Sequence, residues 1–272
     1  AMLLQQLASK AKPRRYRKGD GKAAAGFEPA FRSPSVVDVP EGLGRWRPFQ
    51  VGFLLTALDS VADKGSSERD LVDLIWFPTG GGKTEAYLGL VAFSALLRRL
   101  RDPNDAGTDT LMRYTLRLLT AQQFQRAAAL VCAAEVVRRE DEARWGTTPF
   151  RIGLWAGGKV SPNWFTDAAE QIAEARETGQ GQRVNVLQTL SCPWCGTALR
   201  GDRDLHPDET VRRVFLFCPN AEGADACPFS KKQSEEGLPV LTIDEEIYRY
   251  TPALVIATVD KLAQLPWRGF AG

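Results

Sequence analysis

Two sets of residues in this chain have types and spacings that could do chemistry. The first is Phe77-Pro78-Thr79-Gly80-Gly81-Gly82-Lys83-Thr84, which follows the apolar run Leu71 to Trp76 and precedes a helical pattern opening near Glu85. Consecutive glycines let backbone N–H groups converge on a phosphate, because without Cβ atoms the chain approaches closely and adopts positive φ. Thr79, Gly80, Gly81 and Gly82 would cradle the phosphates of ATP, Lys83 would reach the β/γ-phosphates, and the Thr84 hydroxyl would ligate Mg²⁺. Lys83 and Thr84 are thus the candidate catalytic pair. The strict phosphate-loop pattern asks for Gly at the position held by Phe77, a departure from it.

The second set is Cys192-Pro193-Trp194-Cys195, with Cys218 and Cys227 further on, a C-x2-C, C-x8-C arrangement. A pair two residues apart aims two thiolates at one ion from a single tight knuckle, and the later pair supplies the other corners of a tetrahedron. Zn²⁺ on Cys192, Cys195, Cys218 and Cys227 is the expected occupant, with unmetallated thiols as the alternative. Four sulfurs leave no open coordination position, so the metal would be structural. The segment between the pairs is polar and short, and metal binding is expected to supply much of its folding energy. His206 reads as an exposed loop residue and Cys132 as a core residue of a helix.

Composition narrows the function classes. The chain has 272 residues, 44% of them hydrophobic, and a formal net charge of +2. Nucleic-acid binding would therefore have to come from local patches. No apolar run reaches the roughly 18 residues that span a bilayer, and the charged-then-apolar order of a secretion signal is missing, so a cytoplasmic location is expected. Five cysteines, four of them clustered, suit reduced thiols and a metal better than a disulfide scaffold.

The elements that must hold these residues follow in order. Residues 1–44 lack periodicity and carry a basic cluster including Lys10, Lys12, Arg14, Arg15, Arg17 and Lys18, which reads as an arm or connector. Arg45 to Gln50 introduces a helix over Val51 to Val61. The Gln50 carboxamide, both donor and acceptor, is suited to reading an adenine edge, although an exposed glutamine at a helix start would look the same. Leu71 to Trp76 is expected as a strand, Ala86 to Arg101 as a helix, Leu111 to Leu116 as a strand and Ala121 to Arg139 as a helix. Phe150 to Trp155 is a further strand and Trp164 to Ala175 a further helix. Strand, crossover helix and strand in succession predict an α/β fold, a parallel sheet with helices on both faces. The expected division is 1–44 as the arm, 45–187 with 238–272 as the sheet domain, and 188–237 as an inserted four-cysteine zinc ribbon.

With these elements in place, the chain resembles the first RecA-like domain of superfamily 2 helicases from about residue 45 onward. Pro48-Phe49-Gln50 resembles the adenine-reading element, and residues 78–84 resemble motif I. Thr115 to Gln122 matches motif Ia at Arg117, Leu119 and Gln122 but not at its first two positions. Gly157-Gly158 is similar to motif Ib, and Thr258-Val259-Asp260-Lys261 to motif Ic. More narrowly, the inserted ribbon together with Thr-Val-Asp-Lys-Leu resembles helicase subunits of bacterial DISARM anti-phage defence systems.

The resemblance implies an ATP-driven helicase or translocase acting on DNA, as a single strand or at a duplex end. Arg117, Gln122, Gly157, Gly158, Thr258, Asp260 and Lys261 would lie against the nucleic-acid backbone, and a second subunit of the defence complex such as DrmB would be a partner. A zinc-ribbon binding module with a vestigial loop, or an ATPase acting on protein partners, are the alternatives.

Such a motor also needs an Asp-Glu pair at a strand end to hold Mg²⁺ and orient water. Asp141-Glu142 follows a charged helix and does not qualify. Asp244-Glu245 follows a short apolar run but precedes motif Ic, the reverse of the family order. The true pair is therefore expected beyond Gly272, and residues 1–272 alone are expected to hydrolyse almost no ATP.

Overall fold

Two apolar runs, Ile152–Trp155 and Leu254–Thr258, are buried along their whole length, as strands covered on both faces must be. The computed structural model describes residues 1–8, 13–19, 25–37, 39–76, 82–114, 121–181, 184–223 and 225–267. In chain order the elements are α1 (Met2–Ala8), β1 (Arg15–Arg17), β2 (Gly26–Glu28), α2 (Pro48–Ala62), α3 (Lys83–Arg101), β3 (Thr110–Tyr114), α4 (Ala121–Glu140), α5 (Glu142–Trp145), β4 (Ile152–Trp155), α6 (Phe165–Thr178), α7 (Gly201–Asp204), β5 (Leu205–Asp208), β6 (Arg213–Leu216), β7 (Val240–Leu241), α8 (Asp244–Tyr250), β8 (Leu254–Thr258) and α9 (Val259–Leu262).

The central sheet has four parallel strands in the order β3-β8-β4-β7, with helices on both faces, so the expected α/β architecture is present. Alternation along the strands assigns the layers. Ile152, Leu154, Leu254 and Ile256 join the main core with Leu88 and Val91 of α3, Phe124 and Leu130 of α4, and Phe165 and Ile172 of α6. Trp155, Val255 and Ala257 face the other way, toward Ile247 and Tyr248 of α8 and Leu262 of α9. Gly153 also looks that way, and a Cβ there would come within 2.9 Å of the Pro252 ring, so α8 and its following turn lie too close to the strand for any side chain.

One expected strand is not formed. Residues 71–76 adopt no regular structure, and Leu71, Val72, Leu74 and Trp76 are exposed, Val72 to 95% and Trp76 to 89%. An apolar run becomes a strand only where another strand takes up its hydrogen-bonding groups, and among the described residues no strand pairs with 71–76, although β3 pairs on one side alone, with β8. Beneath α3, against β3, lies a groove of about 1050 Å³ lined by Tyr87, Leu90, Leu97, Leu111 and Tyr114.

Among the described residues of 1–44 there are a helix and a two-stranded ribbon. Leu4 and Ala8 of α1 are buried in the main core, and β1 and β2 pair as an antiparallel ribbon. The four-cysteine segment, expected as an insertion, is seated in the main core as well. Trp194, Leu199, Leu205, Val214, Leu216 and Phe229 share that core with α4 and α6, and β5 pairs with β6. Arg139 of α4 fastens the two parts by donating to Pro228 O at 2.9 Å and Ser234 Oγ at 3.1 Å.

Candidate nucleotide loop and metal centre

Helix α3 opens directly on the two loop residues that could meet a phosphate. Gly82 is left-handed, with φ 93° and ψ 25°, and Lys83 and Thr84 are the first residues of the helix behind it. The Gln50 side chain ties α2 to this junction. Its Oε1 accepts from Arg47 N at 2.8 Å, and its Nε2 donates to Gly82 O at 2.8 Å. A Cβ at Gly82 would lie 3.0 Å from that amide nitrogen, so glycine is needed both for its φ and for the contact. Glu85 pairs with Arg126 of α4 at 3.1 Å, which fixes the first turn of α3 against the next helix. Thr79, Gly80 and Gly81 lie outside the described residues, as does Arg117.

The remaining residues expected to face nucleic acid gather at one edge, because parallel strands all end on the same side of their sheet. Gln122 is exposed in the first turn of α4, Gly157 and Gly158 follow β4, and Thr258, Asp260 and Lys261 follow β8. They are not equally available. Gly158 and Asp260 are exposed, whereas Thr258 is buried and Lys261 is 5% exposed. The Lys261 ammonium is ion-paired with Asp244 and donates to Asn163 Oδ1 at 3.1 Å. It stitches together the turns that follow β4, β7 and β8. Asp244 and Glu245 are likewise committed, the first to Lys261 and the second to Arg212 at 2.9 Å.

The metal centre is assembled from two knuckles. Cys192 N donates to Thr197 O and Gly196 N to Cys192 O, closing the first turn, while Cys227 N donates to Asn220 O to close the second. All four sulfurs lie within 4.8 Å of one another, and all four residues are buried. Cys192 and Cys227 sulfurs are 3.8 Å apart and Cys195 and Cys218 sulfurs 3.5 Å apart. A tetrahedron with Zn–S bonds of about 2.3 Å has edges of about 3.8 Å, so the separations fit a zinc ion. None of the four forms a disulfide.

Burial pushes the Cys192 and Cys227 thiols up, while hydrogen bonds from the neighbouring cysteines and from Thr197 pull Cys195 down. Four thiolates crowded in this space need a dication to be tolerated. His206 stands outside the four-sulfur set, in β5 against Phe217, half-buried, with its pKa lowered by burial and by Lys231 and Arg176. Cys132 is fully buried in α4, as expected.

The ribbon arginines face inward or are matched locally. Arg200 pairs with Asp202, Arg203 with Asp204, Arg212 with Glu245 and Arg213 with Glu236. Glu236 also takes Arg151 at 2.6 Å, joining the ribbon to β4's entry. Burial raises the Glu236 carboxyl, but the Arg213 and Arg151 guanidiniums outweigh it and hold the pKa at about 2. Glu246 has the opposite fate. Its burial, opposed by a hydrogen bond from Val214 N, raises its pKa to about 7. Sequence reasoning missed both carboxylates because their partners are distant along the chain, 85 residues for Arg151 and Glu236.

No family model matches the chain. Among curated proteins it is similar to the DISARM protein DrmA of Bacillus paralicheniformis, with 40% identity over 234 residues, covering 82% of this chain and 20% of DrmA. The chain thus spans about a fifth of the length of that relative.

Proposed function

We propose, from the similarity to DrmA and the helix junction at Gly82, that the chain is the first RecA-like portion of an ATP-driven helicase or translocase that moves on DNA in DISARM anti-phage defence. The observation that carries this reading is the order left-handed glycine, Lys83, Thr84, long helix. Such a terminus directs backbone N–H groups and a lysine toward a phosphate and sets a hydroxyl where Mg²⁺ would bridge. Lys83 would neutralise charge on the β/γ-phosphates, Thr84 would ligate Mg²⁺, and Gln50, already bonded to Gly82, would stand between the loop and an adenine. Gln122, Gly157, Gly158 and Asp260, at one edge of the sheet, are the residues best exposed to meet a nucleic-acid backbone.

Zn²⁺ on Cys192, Cys195, Cys218 and Cys227 would act structurally, holding the ribbon against α4 and α6. Internal pairing of Arg200, Arg203, Arg212 and Arg213 argues for that role over a basic nucleic-acid face. A second subunit of the defence complex and the cytoplasm complete the proposal. Among the described residues no helix is long and apolar enough to cross a membrane.

The test is ATP turnover by the full-length protein with and without DNA. Turnover that DNA stimulates and that Lys83→Ala lowers on the order of 100-fold or more, with unchanged melting, is expected. Turnover indifferent to DNA but stimulated by a protein partner would favour an ATPase acting on proteins. Turnover indifferent to Lys83→Ala would remove the motor reading.

A further inference from the structure

The metal knuckle has a contact that neither the spacing of the cysteines nor the proposed motor calls for. Thr197 is fully buried, and its Oγ1 lies 3.1 Å from Cys195 Sγ. The same Oγ1 lies 3.0 Å from Arg14 Nη1. A guanidinium has no acceptor, so the Thr197 oxygen must accept from Arg14, which leaves its own O–H to donate to the Cys195 sulfur. The hydrogen bonds therefore run in one direction, from the cation through the hydroxyl to the sulfur. A donor aimed at a metal-bound thiolate favours its charged form and fixes its orientation.

Arg14 is itself held from several sides. It is 6% exposed, its Nε donates to Pro29 O at 2.7 Å and its Nη2 to Phe27 O at 3.2 Å. The guanidinium lies over the Phe27 and Phe31 rings. Its backbone is bound to the knuckle as well: Arg14 N donates to Gly196 O, and Ala198 N donates to Arg14 O, each at 2.8 Å. Farther along, Ser33 N donates to Asp225 Oδ1 at 3.3 Å, a second fastening to the ribbon. The described residues 14–19 and 25–33 are thus fastened to the turn that carries Cys192 and Cys195 through Arg14, and to Asp225 through Ser33.

We propose that Arg14 and Thr197 are positioning residues of the metal centre, and that occupancy of the centre holds residues 14–19 and 25–33 in place. The inference rests on the reading of the four cysteines as a zinc site. Without the ion the knuckle loses the bonds that set the Gly196 and Ala198 backbone, and residues 14–19 and 25–33 lose their seat. With the ion, Arg14 and Thr197 slow the departure of Cys195 from the metal.

The test uses full-length protein purified with zinc, the released metal being assigned to this site by its loss in Cys195→Ser. Zinc transfer to a chromophoric chelator is expected to be faster on the order of 10-fold in Thr197→Val and in Arg14→Met, and near the wild-type rate in Thr197→Ser. Cobalt substitution gives a readout that a packing defect would not move, since the thiolate-to-cobalt charge-transfer band should shift in Thr197→Val and return in Thr197→Ser. Hydrogen exchange of residues 14–19 and 25–33 should accelerate on zinc removal. Wild-type protein that holds no zinc at the cysteines would overturn the metal reading and this inference with it. Zinc bound normally but released at one rate from wild type and Thr197→Val, or exchange in 14–19 and 25–33 indifferent to zinc, would overturn this inference and leave the metal reading standing.

Discussion

The four-cysteine region and the region around residues 71–76 both combine apolar residues with short polar turns, yet they end in opposite states. In the first, Trp194, Phe229, Leu205 and Leu216 are buried and nearly every arginine meets a carboxylate within the chain. In the second, Leu71, Val72, Leu74 and Trp76 face solvent. The difference lies in where the partners come from. A knuckle closes with hydrogen bonds over a few residues, and its cysteines converge on one point. A parallel strand closes nothing by itself, because its hydrogen bonds must be met by a strand a crossover away.

The largest effect that could break this contrast is loss of the metal. Cys195→Ser is expected to abolish zinc binding and to cost several kcal/mol, lowering the melting temperature by about 10 °C or more. Because the ribbon shares its core with α4 and α6, hydrogen exchange should rise in those helices too. Exchange confined to residues 188–237 would show that the ribbon folds apart from the sheet.

Next in size is the buried junction of Arg151, Arg213 and Glu236. Glu236→Ala leaves two buried guanidiniums without their carboxylate, and a loss of about 3–5 kcal/mol is expected in denaturant unfolding. A loss below about 1 kcal/mol would mean that water reaches the junction and that the ribbon is less firmly seated than its burial indicates.

These two regions also differ in how far they could be read without coordinates. Cysteine spacing announced the metal centre because the chemistry is local. The apolar run of β4 announced a strand for the same reason, whereas β8, equally continuous and buried, was not singled out as one. Leu71 to Trp76 has the composition of a strand, but composition does not say whether a neighbour stands beside it. Lys261 looked like a phosphate ligand from its surrounding letters, and its ion pair with Asp244, 17 residues earlier, could not be read from them. Arg14 looked like one charge in a basic run, while its partners Thr197 and Gly196 lie more than 180 residues away.

A smaller effect concerns Glu246, whose carboxyl sits between Val214 N and the charges of Arg213, Arg249 and Glu245. Its pKa is about 7 in the folded protein against an ordinary 4.5, so the folded state binds the proton more tightly than the unfolded chain. This contribution is fully present below pH 4.5 and is lost as pH rises through about 7. Wild-type protein should therefore lose on the order of 2 kcal/mol relative to Glu246→Gln between pH 5.5 and 7.5. Urea unfolding at the two pH values measures it, and parallel behaviour of the two proteins would show that the carboxyl is hydrated.

The smallest expected effect tests the open side directly. Trp76, 89% exposed, touches too little of this chain to stabilise it, so Trp76→Ser in residues 1–272 should change unfolding free energy by no more than about 0.5 kcal/mol. The same substitution at a core aromatic such as Phe229, which is fully buried, should cost about 3–5 kcal/mol. If Trp76→Ser instead costs more than about 2 kcal/mol, the segment packs against the sheet in solution, and the groove beneath α3 is its seat. If it is neutral in residues 1–272 but costly in the full-length protein, the partners for this run come from outside these residues. The opposition between a self-closing ribbon and a strand that waits for neighbours would then hold on both sides.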